Sequence, residues 1–99
     1  MRVITKRRLK EFWEKHRKAE GPLLAWYKLV TNAHWKNFAE VKATFNSADY
    51  YANLVIFDVG GNKYRVIAAI HYNTGMLFIR HAFTHPEYDK WKKLKGGPK

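Results

Sequence analysis

An α+β fold is what the sequence predicts, with helices early, hairpin-linked strands late and a short helix at the end. Three observations carry it. Through the first half, apolar residues recur at the three- and four-residue spacing of amphipathic helices. From Ala48 the pattern changes to branched and aromatic runs punctuated by glycine turns. Finally, 99 residues support one core rather than two, and a 46% hydrophobic composition with 16% aromatics can fill it. The expected architecture is a single domain, 1–99, with N-terminal helices on one face of an antiparallel or mixed sheet of about four strands.

Residues 2–4 (Arg-Val-Ile) read as a short first strand. Thr5 reads as the N-cap of a helix whose inner face carries Leu9, Phe12, Trp13 and His16 while its outer face is charged. Gly21-Pro22 stops this helix and starts a second, whose buried stripe is Leu23, Trp26, Tyr27, Val30 and Ala33. A third, short helix is expected after Asn37, with Phe38, Val41 and Phe45 on one side. Asn53–Val59 then reads as a strand, Gly60-Gly61-Asn62 as a hairpin turn, Lys63–Asn73 as the next strand, Thr74-Gly75 as a tight turn and Met76–Thr84 as the last strand. Pro86 marks the final helix, opened either by His85 as N-cap or by a Thr84-x-x-Glu87 capping box. Residues 96–99, with Gly96-Gly97-Pro98, read as a flexible tail.

Register decides which side chains share a face. A two-residue turn at Thr74-Gly75 pairs Ala69 with Arg80 and Arg65 with Thr84. Lys63, Arg65, Ile67, Ala69 and His71 then lie beside Phe78, Arg80 and Thr84, with Leu54, Ile56 and Asp58 on the same face. Tyr64, Val66, Ala68, Ile70, Leu77, Ile79 and Phe83 are expected under the helices, together with His81. A one-residue change in the last hairpin would flip the final strand and part Arg65 from Arg80.

Nineteen Lys and Arg against eight Asp and Glu leave a net charge of +11, which suits a polyanion and above all nucleic acid. No basic amphipathic helix stands apart from the folded pattern, so a membrane surface is not expected as partner. The absence of cysteine excludes disulfides and thiolate metal sites. The N-terminus lacks an apolar signal-type run, and the chain reads as cytoplasmic. The eight carboxylates form no two-metal pattern, and there is no phosphate-binding glycine loop, so neither metal nor cofactor is expected.

Arg65, Arg80 and Lys63 on one face, followed by His85 and Tyr88, fit cleavage of RNA by its own 2′-hydroxyl. Arginine can clamp a phosphate and stabilise the added charge of the transition state. Histidine can move the proton, and tyrosine can stack on a base or hold the phosphate. Each also has an ordinary reading: strand arginines as solvated charges, His85 as a cap, Tyr88 as a docking residue, and Asp58 as a partner that orients Lys63 or Arg65. The basic face of the first helix reads as solvent-exposed, with room to fit ribosomal RNA. His16, His34, His71 and His81 read as packing residues.

Val41-Lys42-Ala43, Val55-Ile56-Phe57-Asp58-Val59, Gly61-Asn62-Lys63-Tyr64-Arg65, Phe78-Ile79-Arg80 and Thr84-His85-Pro86-Glu87-Tyr88-Asp89-Lys90 together resemble the HigB-type toxins of the RelE-like superfamily. The resemblance runs from about Phe38 to Trp91. It implies a RelE-like toxin that cuts mRNA, typically in the ribosomal A site and without metal. It further implies that Arg65 and Arg80 hold the scissile phosphate, His85 takes the acid/base role and Tyr88 orients the nucleotide. Lys63, Lys90 and Lys42 are the accompanying RNA contacts. The implied partners are a HigA-type antitoxin with a helix-turn-helix domain, mRNA and the ribosome. Two departures from the family pattern stand near the expected site: Asp58, where asparagine is frequent, and the lead-in His81-Ala82-Phe83. A non-catalytic RNA-binding domain using the same basic sheet is the alternative reading. A DNA-binding domain comes last, since no helix-turn-helix is apparent.

Overall fold

Between its first and second strands the chain crosses from one edge of the sheet to the other, and that crossing builds the helical layer. The computed structural model describes residues 1–94. In chain order the elements are β1 (Arg2–Ile4), α1 (Lys6–Lys15), a 3₁₀ turn (Arg17–Ala19), α2 (Glu20–Thr31), α3 (Phe38–Thr44), β2 (Asp49–Tyr51), β3 (Leu54–Val59), β4 (Tyr64–His71), β5 (Met76–Thr84) and α4 (His85–Leu94). The sheet order is β1-β5-β4-β3-β2, with β1 parallel to β5 and every other pairing antiparallel. The expected α+β architecture with a mixed sheet is therefore present, with five strands rather than four. Residues 96–99, expected as a tail, lie outside the described residues.

One face of the sheet takes the main core. Leu9, Phe12 and Trp13 of α1, Leu23, Trp26 and Val30 of α2 and Val41 of α3 pack on Val55, Phe57, Val59, Val66, Ala68, Leu77 and Ile79. Phe57 is the centre of an aromatic cluster, 5.2 Å from Trp26, 5.3 Å from Phe45 and 6.2 Å from Trp35. Trp35 went unrecognised in the sequence because it sits between helices, outside any period; its indole N–H donates to Thr44 Oγ1 at 3.0 Å. On the opposite face α4 lays Tyr88 and Trp91 on Ile56, Ile67, Leu54, Tyr51 and Phe83.

Several local expectations are corrected. Thr5 makes no side-chain cap; its backbone is left-handed, at φ 67°, and its hydroxyl donates to the Ile79 carbonyl at 3.0 Å. Gly21 and Pro22 fall inside the first turn of α2, where a missing N–H costs nothing, and α1 already ends at Lys15. Asn37 does cap α3, accepting from the Glu40 N–H at 3.1 Å. At α4 the capping box is formed: Glu87 Oε1 accepts from the Thr84 N–H at 2.8 Å, and Thr84 Oγ1 accepts from the Glu87 N–H at 3.4 Å.

β2 was missed because alanine stands at the first position of its hairpin turn to β3. Ala52 and Asn53 link the Tyr51–Leu54 pair with φ of 52° and 64°, the signature of a type I′ turn. Asparagine tolerates this region and alanine does not, so the strand was expected to begin at Asn53. Ala52→Gly is expected to stabilise the protein by about 1 kcal/mol. Thermal melting would show this as a rise of roughly 4–8 °C; an unchanged midpoint would mean the turn relaxes without strain.

The β3–β4 ladder pairs Asp58 with Arg65 and Ile56 with Ile67, so Leu54, Ile56 and Asp58 share the Arg65 face as expected. The β4–β5 ladder does not follow the expected register. It closes at His71–Met76 around a four-residue loop and then breaks: Ala68 pairs with Ile79 but Ile67 pairs with His81. Arg80 is the extra residue of a β-bulge. Beyond it the faces exchange. His81 and Phe83 join the Arg65 side, against the expectation that both pack under the helices, and Ala82 turns toward the main core.

Candidate nucleic-acid interface

The bulge takes Arg80 out of the alternation expected to set it on one face with Arg65. Arg65 is buried, at 7% exposure. Its Nε lies 3.0 Å from Asp58 Oδ1, its Nη2 donates to Asn62 Oδ1 at 2.7 Å, and its Nη1 donates to the Tyr64 carbonyl at 3.1 Å and the Asn62 carbonyl at 3.4 Å. The guanidinium carbon sits 5.4 Å from the Tyr88 ring centre. Cross-strand pairing explains the geometry: Asp58 and Arg65 are direct neighbours on one face, and the turn brings Asn62 back over them. With its donors so engaged, Arg65 supports Tyr88 and α4 more than it faces solvent.

Tyr88 itself is buried, flanked by Arg65 and by Lys92 Nζ at 5.6 Å. Its ring also stacks 6.1 Å from Trp91. His85, the first residue of α4, is partly exposed, and its backbone N–H donates to the Lys63 carbonyl at 2.9 Å. Its Nδ1 lies 3.1 Å from Asp89 Oδ2, one helical turn on. A carboxylate there favours the Nδ1–H tautomer and leaves Nε2 as the acceptor. Lys63 and Lys90 are exposed. Lys42 belongs to the other side of the sheet, on α3, where its Nζ donates to the Ala48 carbonyl at 2.8 Å.

Arg80 is exposed and lines a groove of about 280 Å³ between α1, the bulged part of β5 and the first turn of α4. The bulge puts it there, and Thr5 and Arg8 donate to the carbonyls at the bulge. Thr5 donates to Ile79, as above, and Arg8 Nη1 donates to the Arg80 carbonyl at 3.2 Å. Arg8, Lys15, His16 and His81 complete the polar lining with Glu11 and Glu87. Sequence reasoning matched the basic face of α1 with ribosomal RNA but missed its place in this groove. The available signal was the i, i+3, i+4, i+7 spacing of Arg8, Glu11, Phe12 and Lys15, which sets them on one stripe of the helix. Among the described residues, no three His, Asp or Glu side chains gather as metal ligands, and no helix is long and apolar enough to cross a membrane.

Comparison with known proteins bears on this arrangement. A family model described as "RelE-like toxic component of a toxin-antitoxin system", the HigB toxin family, matches residues 19–91. The mRNA interferase toxin HigB of Escherichia coli K12 is 34% identical over 92 residues, covering 90% of this chain and 88% of that protein. The mRNA interferase HigB of Shigella flexneri matches to the same extent. That of Escherichia coli O6:H1 is 30% identical over 93 residues, covering 91% of this chain and 90% of its own.

Proposed function

We propose that this chain, which belongs to the HigB family of RelE-like toxins, is an endoribonuclease that cuts mRNA and arrests growth until an antitoxin neutralises it. The observation in this chain that carries the reading is Arg80, exposed by a β-bulge at a groove also lined by Arg8 and Lys15, within a protein of net charge +11. A cation fixed on a rigid strand is suited to a phosphate whose charge grows in the transition state.

In this reading the RNA supplies the nucleophile. Its 2′-oxygen attacks the neighbouring phosphorus, the bond from phosphorus to the 5′-oxygen breaks, and a 2′,3′-cyclic phosphate and a 5′-hydroxyl result. The 2′-hydroxyl proton must leave and the 5′-oxygen must gain one. His85 Nε2 takes that traffic, since Asp89 holds Nδ1, while Arg80 bears on the phosphate oxygens. Arg65 and Tyr88 position α4 and hence His85, and Lys63 and Lys90 contact the RNA backbone. No step requires a metal. Cleavage takes place in the cytoplasm on translating ribosomes, and the antitoxin is of the HigA helix-turn-helix type, its acidic surface matching the charge excess here.

His85→Gln is expected to slow cleavage about 100-fold while leaving ribosome binding unchanged, because glutamine keeps a polar side chain but cannot carry the proton. Loss of ribosome binding in a co-sedimentation assay would instead make His85 a docking residue. The reading as a whole is tested by inducible expression in bacteria with mapping of RNA 5′ ends, alongside the Arg80→Ala variant. In-frame cuts absent from the variant support it. Cuts without reading-frame phase would point to a ribosome-independent nuclease. Intact RNA and healthy growth with folded protein would favour a non-catalytic RNA-binding domain.

A further inference from the structure

The α1 wall of the groove, with Arg8, Phe12, Lys15 and His16, lies before residue 19, outside the span matched by the family model. We infer that this groove holds one nucleotide of single-stranded RNA, its base beside the imidazoles of His16 and His81, its flanking phosphates on Arg80 with Arg8 at one end and on Lys15 at the other. The inference rests on the RNA-cleaving reading above and adds to it the binding subsite that α1 provides.

Two features of the groove occur together. Each wall carries an imidazole beside aromatic rings: His16 lies 4.5 Å from Phe12 at 33°, and His81 lies 5.0 Å from Phe83 at 12° and 5.6 Å from Trp91 at 55°. Packing of this kind holds a flat ring in place, and flat rings accept any base by stacking. Around them stand three permanent cations. Arg8 is tethered to the Arg80 carbonyl, which keeps the two guanidinium-bearing residues at one end. Lys15, seven residues along the helix, is about 10 Å further on.

The two carboxylates in the lining are turned to other partners. Glu87 Oε1 accepts from the Thr84 N–H in the capping box, and Glu11 Oε2 lies 3.9 Å from Arg7 Nε, one turn back along α1. An acidic peptide would satisfy the cations but would make no use of the paired rings. A nucleotide uses both, and this decides between them.

The test is binding of a 2′-O-methyl hexanucleotide, which cannot be cut through its 2′-oxygen, over a range of salt. Arg8→Gln/Lys15→Ala is expected to weaken binding at least tenfold and to lower the slope of log K against log salt by about 0.7 for each phosphate no longer neutralised. Lys10→Ala/Lys18→Ala removes the same charge from residues that do not line the groove and should leave the slope within 0.3 of wild type, a margin of roughly half a phosphate. His16→Ala should cost about tenfold and His16→Phe should restore it, because stacking needs a ring rather than a proton. An abasic probe should bind the His16→Ala variant and wild type alike.

Wild-type affinity and slope in Arg8→Gln/Lys15→Ala would overturn the inference whatever the nuclease does. So would a His16→Ala loss that persists with the abasic probe, since it would show a cationic surface without a base site. If these variants behave as expected but wild type cuts no RNA in cells, the groove stands and the cleavage reading falls.

Discussion

Arg80→Ala is expected to reduce RNA cleavage by about 10²–10³-fold, the usual consequence of removing one preorganised charge from a transition state. Fold and melting temperature should not change. The side chain is exposed, it is the unpaired residue of a bulge, and only its backbone carbonyl has a structural role, as acceptor for Arg8. Arg80→Lys should recover only part of the loss, since an ammonium keeps the charge without the planar two-point grip on a phosphate. Single-turnover cleavage, read beside binding of an uncleavable RNA, separates the outcomes. A fall in affinity equal to the fall in cleavage would make Arg80 a binding contact and not a transition-state one. Unchanged cleavage would remove it from the site.

The second large effect is on stability. Asp58→Ala should destabilise the protein by about 3 kcal/mol, because it leaves Arg65 buried without its carboxylate partner. Against the total stability of a small domain, about 5–15 kcal/mol, this is a large fraction. Asp58→Asn should cost far less, since an amide oxygen can still accept from Arg65 Nε. Urea denaturation measures both. A loss below about 1 kcal/mol in Asp58→Ala would show that Arg65 turns out to water. The same variant should loosen α4, whose Tyr88 lies against Arg65, and so lower cleavage without any direct contact to RNA.

Much of the fold was legible because it follows from periodicity. The stripes of α1 and α2, the start of α3 at Asn37, the three long strands and the Thr84–Glu87 box all rest on local spacing. What escaped was nonperiodic or locally disfavoured: Trp35 between helices, and β2 behind a turn with alanine at positive φ. The candidate site was named as a set of residues and not as an arrangement. Arg65, Arg80, His85 and Tyr88 were all singled out, yet two are buried and two are accessible. Burial depends on what packs from elsewhere in the chain.

Composition and pattern alone determined the α+β class, the basic character and the likeness to RNA-cleaving toxins, since these depend on residue types and short spacings. Only the tertiary structure decided which cations are exposed and which are buried. One extra residue at Arg80 reverses the faces of the end of β5, and no rule of alternation within that strand foretells it. At the bulge, the Ile79 and Arg80 carbonyls accept from Thr5 and Arg8, more than 70 positions earlier in the chain. Those bonds belong to α1 and β5 together, and become visible only once the two are in contact.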